Sequence, residues 1–506
     1  MSARHKLTSE EKKFFTLIAE AVFANPFSDE RLEIDRRILG GSEDRARVDR
    51  VRLLREKIAA QLSLLEKEGR CRLDDYSGQD REILMVAFLF EVHHLFFDAF
   101  AGLIDEQRRE GDEPCKVAFA REALDLLGKR GFPPEEAVRF FSMLFQLRRA
   151  HYFIDRGLVG ESASMKKLRA HLWNNVITHD IQCYGLHLFD RMEDFSTMLL
   201  GETGTGKGTA ASAIGQSGYI PFDENQQRFR ESFTGAFISI NLSQYPEELI
   251  ESELFGHRKG AFTGAIDHHE GVFKRCSPHG AIFLDEIGDV SVRTQIKLLQ
   301  VLQDRVFSPV GSREQHKFRG RVIAATNRPI HDLRCAGEFR DDFYYRLCSD
   351  IILVPPLRDQ LRECPGDLDG LVRHVLLRLT GGALAADQFD ALFDRVQTAI
   401  ADSVPPDYDW PGNVRELEQC VRRVLLTNRY DPCKGAVARE NGSQAFFDDV
   451  ERGSLNAQDV VAGYCALLYE RHGTLAEVAR KTQLDRRTVK KYLEEIGALD
   501  SDEASS

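Results

Sequence analysis

The strongest constraint on the fold is the segment GETGTGKG at 201–208. It follows the apolar run Met198, Leu199, Leu200 and precedes 209–214, which reads as a helix. Strand, glycine loop and helix in that order turn consecutive backbone N–H groups inward, where they cradle phosphate oxygens. The helix N-terminus adds its positive dipole end, and Lys207 reaches the β- and γ-phosphates of a nucleotide. Gly201, Glu202, Thr203, Gly204, Thr205, Gly206, Lys207, Gly208 and Thr209 are therefore the expected nucleotide-binding residues. A general loop of this kind places Ser or Thr after the lysine as a magnesium ligand. Gly208 stands there instead, and Thr209 next to it is in a different helical phase.

A second element supports the first. AIFLDE at 281–286 is an apolar strand ending in two carboxylates. Asp285 at the strand end can hold Mg²⁺, and Glu286 can polarise a water for in-line attack on the γ-phosphate. AATN at 324–327 is another strand end, whose Asn327 can sense the γ-phosphate or orient water. Short apolar runs at 197–200, 237–241, 281–284 and 321–325 alternate with helical segments, a rhythm that predicts a parallel sheet covered by helices.

Composition bounds the rest. The 506 residues allow three or four domains, and 42% apolar with 29% charged residues is a globular balance. The richest apolar stretch, 83–104, is interrupted by Glu91, His93, His94 and Asp98, so no membrane span is expected. The opening MSARHKLTSEEKK lacks an apolar h-region, so no secretory signal is expected. The ten cysteines are scattered and none forms a C-x-x-C pair, which fits reduced thiols in the cytoplasm. A net charge of −12 excludes a general nucleic-acid coat but leaves room for a local basic surface. Residues 1 to about 155 carry apolar residues at helical spacing in 11–23, 49–66, 82–105, 117–128 and 134–153. Glu91 and His94 have the E-x-x-H spacing of bundle metal sites, but a di-iron site needs two such pairs and only one is found, so a core or interface helix is the simpler reading.

The longer motifs are more specific. ESELFGHRKGAFTGA at 251–265, FLDEIGD at 283–289, FRDDFYYRL at 339–347 and WPGNVREL at 410–417 join the glycine loop in one chain. Over roughly 157–426 the sequence resembles the bacterial sigma-54-dependent transcription activators, which are AAA+ ATPases. The hexapeptide Gly260, Ala261, Phe262, Thr263, Gly264, Ala265 is that family's signature and is complete. The resemblance implies ATP and Mg²⁺ as ligands, with Lys207 in the Walker A loop and Asp285 and Glu286 as the Walker B pair. It implies that Asn241 is a switch contacting Glu286, that Asn327 lies in sensor I, and that Arg415 is the sensor II arginine. Arg340 and Arg346 match arginine fingers that would act on a neighbouring subunit in a ring, expected to be a hexamer; surface pairing with Asp341 and Asp342 is the alternative. The 260–265 loop would contact sigma-54 of the RNA polymerase holoenzyme, with Phe262 at a mobile tip between two glycine hinges. Gly208 and Arg258 each replace a glutamate usual in the family. Two insertions stand out, around 177–195 and 221–232; the FTGA at 233–236 echoes the loop by chance.

The C-terminal segment resembles a Fis-type helix-turn-helix. A short helix opened by 473–479, a turn at 483–485 and a second helix at 486–496 would bury Ala479, Leu484, Val489 and Leu493. Arg486, Arg487, Thr488, Lys490 and Lys491 would then face double-stranded DNA in the major groove. The expected architecture is multidomain: a helical regulatory domain at 1–156, an AAA+ α/β P-loop ATPase core at 157–355 with a helical lid at 356–428, a linker at 429–455 and a helix-turn-helix at 456–500. The expected function is ATP-driven remodelling of the closed promoter complex to the open one.

Overall fold

The computed structural model describes residues 5–41, 47–405, 407–430, 450, 456–472 and 474–495. The linker expected at 429–455 falls almost wholly outside them, as do the last five residues of the helix-turn-helix expected at 456–500. Met1–Gln397 with Tyr408–Leu425 forms one compact unit, and Thr398–Asp407 with Leu426–Ser506 a second, a coarser division than the five segments expected.

Among the described residues the first unit opens with the α-helices α1 (Ser9–Phe23), α2 (Asp29–Leu39), α3 (Arg47–Lys67), α4 (Gly78–Leu95), α5 (Phe97–Glu110), α6 (Ala120–Lys129) and α7 (Pro134–Gly157). Thr8 caps α1 in a reciprocal box with Glu11, satisfying two otherwise orphaned N–H groups. The single helix expected at 82–105 is two, broken at Phe96 and bent by 55°. The bend turns Phe88 and Val92 on one side and Phe100 and Ile104 on the other toward one core. No single described helix is long and apolar enough to cross a membrane.

Next come α8 (Ala163–Ile177), the short α9 (Ile181–Cys183) and β1 (Thr197–Leu200). α10 (Lys207–Gly215) follows the glycine loop, then β2 (Phe222–Asp223), β3 (Arg228–Phe229) and β4 (Phe237–Asn241). The insertion expected at 221–232 is the β2–β3 hairpin, and it completes the N-terminal core. Phe222 meets Phe141 edge-on at 5.0 Å between centroids, and Phe229 stacks on Phe145 at 4.2 Å. Ile220, Phe222, Phe229 and Phe233 are all buried in the same cluster as α1–α7. At about 1.5–3 kcal/mol per buried side chain, these four residues are a substantial part of that core. Phe233 of the echoed FTGA belongs here, and Thr234 donates to the Gly111 carbonyl at 2.6 Å. Residues 1–156 therefore do not close a core without residues from beyond 200.

The chain continues through α11 (Glu247–Phe255), α12 (Val272–Arg275), β5 (Ala281–Asp285), α13 (Val292–Asp304), the β6 (Val306–Phe307) and β7 (His316–Lys317) hairpin and β8 (Arg321–Thr326). α14 (Ile330–Cys335), α15 (Asp341–Leu347) and β9 (Asp350–Leu353) finish the α/β part. Five strands form a parallel sheet in the order β4-β5-β8-β1-β9. Strands covered on both faces need apolar residues throughout, and Ile282, Phe283, Leu284, Val322, Ile323, Ala324 and Ala325 are all buried. The segment expected as a lid, 356–428, carries α16 (Leu357–Glu363), α17 (Asp367–Thr380), α18 (Ala386–Ser403) and α19 (Asn413–Thr427).

In the second unit, helices span Ala457–His472, Leu475–Thr482 and Arg486–Glu495. Cys465, Leu468, Val478, Val489 and Leu493 are its buried core, with Ala479 and Leu484 partly buried against them. Gln483 makes the turn at φ 57°.

Candidate functional site

Parallel register brings the chemistry to one edge. Asn241 pairs with Asp285 across β4 and β5, and Leu200 pairs with Thr326 across β1 and β8. The glycine loop, the two carboxylates and Asn327 therefore leave the sheet together at its carboxyl end, where open α/β sheets bind ligands.

The loop is shaped as a cradle. Gly204 and Gly206 have φ of +82° and +98°, a region that costs other residues about 1–2 kcal/mol. A Cβ on Gly204 would lie 2.3 Å from the Gly412 carbonyl and 3.0 Å from the Arg415 Cβ, so the glycine lets the lid touch the loop. The Arg415 Cβ thus stands against the loop. Lys207 is buried, and its Nζ donates to the Gly201 and Glu202 carbonyls at 2.8 and 3.0 Å. Burial lowers its pKa, while Glu286 and Asp285 oppose that shift. Phosphate oxygens are stronger acceptors for the ammonium than those two carbonyls. A Cβ on Gly208 would meet only Phe283, at 4.0 Å, so packing does not demand glycine there.

Glu286 sits at φ 55°, just past the strand, and burial beside Asp285 raises its pKa. The Asn327 N–H donates to Glu286 Oε2 at 3.4 Å, and Asn327 Nδ2 to Thr203 Oγ1 at 2.8 Å. Asn327 thus bridges the carboxylate and the loop. The expected contact of Asn241 with Glu286 is corrected: Asn241 Nδ2 reaches Asp285 Oδ2 at 3.4 Å. The cause is register, because Asn241 lies beside Asp285 on the adjacent strand.

Two residues at this edge escaped the sequence reading. Arg358 on α16 holds Glu202 with two hydrogen bonds, 2.8 and 2.5 Å long. Asn413, fully buried, donates to Glu202 and to the Thr203 carbonyl at 3.1 Å and accepts from the Leu357 N–H at 2.8 Å. It also adopts φ 53°, which asparagine tolerates better than most residues. WPGNVREL at 410–417 contains the signal, since an asparagine after glycine favours that backbone. Asn413→Ala should lose about 2–4 kcal/mol, from the stranded N–H and the strained backbone. Asn413→Gly should recover about 1 kcal/mol of it. Urea unfolding of both variants checks this; equal losses would remove the backbone part of the explanation.

The arginines expected as fingers lie on or beside α15. Arg340 forms a paired contact with Asp342 at 2.6–2.9 Å, and Arg346 donates to the Leu302 carbonyl at 2.9 Å. The pairing weighed for Arg340 is thus present in the single chain, with Asp342 and not Asp341, which pairs with Arg334. Arg346 is exposed.

The 260–265 hexapeptide is closed by the Gly260 N–H donating to the Ala265 carbonyl at 2.8 Å, with Gly260 and Gly264 at φ 77° and 102°. Phe262 does not project as a free tip. It is half-buried, its ring edge-on to His257 at 4.9 Å, while Ile266 is 74% exposed. An aromatic ring in water gains from any neighbouring face. Arg258 pairs with Glu314 at 2.6 Å, joining the base of this loop to the β6–β7 hairpin.

In the second unit Arg486, Arg487 and Lys491 are exposed and Lys490 is half-buried. Val489 and Leu493 face inward, and 3.6 residues per turn then put Arg487 and Lys491 farthest from the core. Thr488 is occupied as part of a cap: its hydroxyl donates to Asp485 at 2.8 Å.

Residues 187–352 match the sigma-54 interaction domain family. The DNA-binding transcriptional regulator NtrC of Azospirillum brasilense is 41% identical over 232 residues, 46% of this chain and 43% of the relative. The regulatory protein AtoC of Escherichia coli K12 is 35% identical over 297 residues, 56% and 59% of the two chains. The nitrogen fixation protein AnfA of Azotobacter vinelandii is 34% identical over 313 residues, 60% and 53%. The matches thus span about half the length of these relatives. Among solved structures, NtrX from Brucella abortus in complex with ATP aligns over 74% of this chain and 80% of its own at a TM-score of 0.39 and 21% identity.

Proposed function

We propose that this chain, which carries a sigma-54 interaction domain related to those of the bacterial sigma-54-dependent activators, is an ATP-hydrolysing transcription activator. One observation carries the reading: Lys207, Asp285, Glu286 and Asn327 converge at the edge of the sheet, in the chain that holds the complete 260–265 loop.

The nucleotide is the substrate. The loop from Gly201 to Thr209 receives its phosphates through backbone N–H groups, and Lys207 exchanges its carbonyl partners for phosphate oxygens. Asp285 would hold Mg²⁺, which would supply charge neutralisation to the phosphates. Glu286 takes a proton from the attacking water and Asn327 keeps that carboxylate aimed. Arg415 on the lid meets the phosphates across Gly204. Arg340 and Arg346, whose permanent charge suits a transferring phosphoryl group, act on the neighbouring subunit of a hexamer. The stroke reaches sigma-54 RNA polymerase through the 260–265 loop. Arg486, Arg487, Lys490 and Lys491 hold double-stranded DNA, and the protein works in the cytoplasm.

Thr263→Ala tests the coupling. Thr263 is exposed on the closed loop. Hydrolysis should stay within about twofold of the parent, inside the ordinary scatter of a surface substitution, while open-complex formation on a sigma-54 promoter is lost. An equal fall in both would place Thr263 in the fold of the loop instead.

A further inference from the structure

The last helix of the N-terminal bundle runs along the helix that begins at the phosphate lysine. A Cβ on Gly157, the end of α7, would lie 3.1 Å from Thr209 Cγ2, in the first turn of α10. Two turns earlier, α7 grips the other end of α10. Arg149 donates to the Gln216 carbonyl at 2.8 Å and to the Gly218 carbonyl at 2.6 Å. Gln146 donates to the Ser217 carbonyl at 3.0 Å and to the Tyr184 hydroxyl at 2.6 Å. Gln216 is the C-terminal cap of α10. Three consecutive carbonyls at the end of the Lys207 helix therefore take their hydrogen bonds from the bundle.

The grip is built from a charge that the interior does not favour. Arg149 is 1% exposed. Among the described residues its partners are carbonyls and ring faces: the guanidinium lies 4.7 Å from the Phe145 ring centroid and 5.6 Å from that of Phe233. Burial pushes its pKa down to about 9, and its Nε finds no hydrogen-bond partner among the described residues. A buried charge of this kind is costly, and a hydrophobic residue of similar volume would pack at least as well. What the charge gains is a place at the negative end of a helix dipole. Phe233 ties the same point to the β2–β3 hairpin, which leaves α10 and enters the bundle core.

We propose that Arg149 and Gln146 are positioning residues that couple the N-terminal bundle to the nucleotide site. Through the end of α10 they set how Lys207 meets phosphate, so the packing of the bundle changes nucleotide binding, and nucleotide binding changes the bundle. The inference rests on the nucleotide-binding reading of the 201–209 loop. Coupling of this kind is reciprocal, which gives a test independent of hydrolysis.

Hydrogen exchange of the full chain, with and without Mg²⁺ and ADP, reads both ends. In the parent chain, ADP should slow exchange at 201–215 and also at 142–157 and 222–233. In Arg149→Met the distant protection should disappear and ADP affinity should fall about tenfold, a size ordinary for coupling between sites. Arg149→Lys, which keeps a donor and the charge, should fall between the two. Gln146→Leu, milder for folding, should weaken the distant protection in the same direction. Protection confined to 201–215 in the parent chain overturns the coupling and leaves the nucleotide reading standing. Parent-like affinity and distant protection in a folded Arg149→Met overturn it as well. Failure of the parent chain to bind ADP overturns both.

Discussion

Glu286→Ala should bind ATP as tightly as the parent chain and hydrolyse it about 10²–10⁴-fold more slowly, the usual contribution of a general base. Lys207→Ala should fail one step earlier, at binding. The two differ because their side chains do different jobs at the same edge. Lys207 is buried, with its ammonium on two loop carbonyls that, in the proposed reading, it gives up for phosphate oxygens. Removing it deletes a charge-assisted contact of about 1.5–3 kcal/mol, roughly 10- to 150-fold in affinity. Glu286 touches Asn327 and faces Asp285. Its loss leaves the cradle intact and takes away the acceptor for the water's proton. Calorimetry gives affinity, and phosphate release gives turnover. Equal affinity and turnover in the two variants would remove the division of roles.

The second large effect concerns the arginines. Arg340→Ala or Arg346→Ala should lower hydrolysis by about 10³–10⁵-fold, the range for a finger supplied to a phosphoryl transfer, with assembly retained. Mixing Arg346→Ala with Lys207→Ala should restore part of the turnover, because one subunit brings the lysine and its neighbour the arginine. In the single chain, Arg346 is exposed and bonded to the Leu302 carbonyl, and Arg340 is paired with Asp342. Both have to exchange these partners to act on another subunit. A mixture no faster than its separate components would remove action in trans. A large loss in Asp342→Ala, whose removal only frees Arg340, would indicate that the ion pair itself holds α15 in place.

Local pattern and local chemistry were legible without coordinates. A glycine loop between a strand and a helix has one productive geometry, so 201–209 announced its own shape. A strand ending in Asp285 and Glu286 did the same, as did the two C-terminal helices around Gln483. These signals are short-range: backbone freedom, periodicity and hydrogen-bond inventory act within about ten residues. Contacts between distant segments carry no such mark. Asn241 could be placed at a strand end from its neighbours, but its partner was decided by the β4–β5 register. Arg358 and Asn413 looked like ordinary lid residues until the chain brought them to Glu202, 156 and 211 positions away. The 221–232 segment read as an insertion because it departs from the family's pattern, and its few aromatic residues show no period that would place them in a core. Only packing revealed that Phe222, Phe229 and Phe233 complete a core begun two hundred residues earlier. By itself the sequence determined where the glycine loop and the acidic strand end lie, because that depends on residue type and near neighbours. The tertiary structure decided which groups hold those residues in place, because burial and register are properties of segments that meet only when the chain is folded.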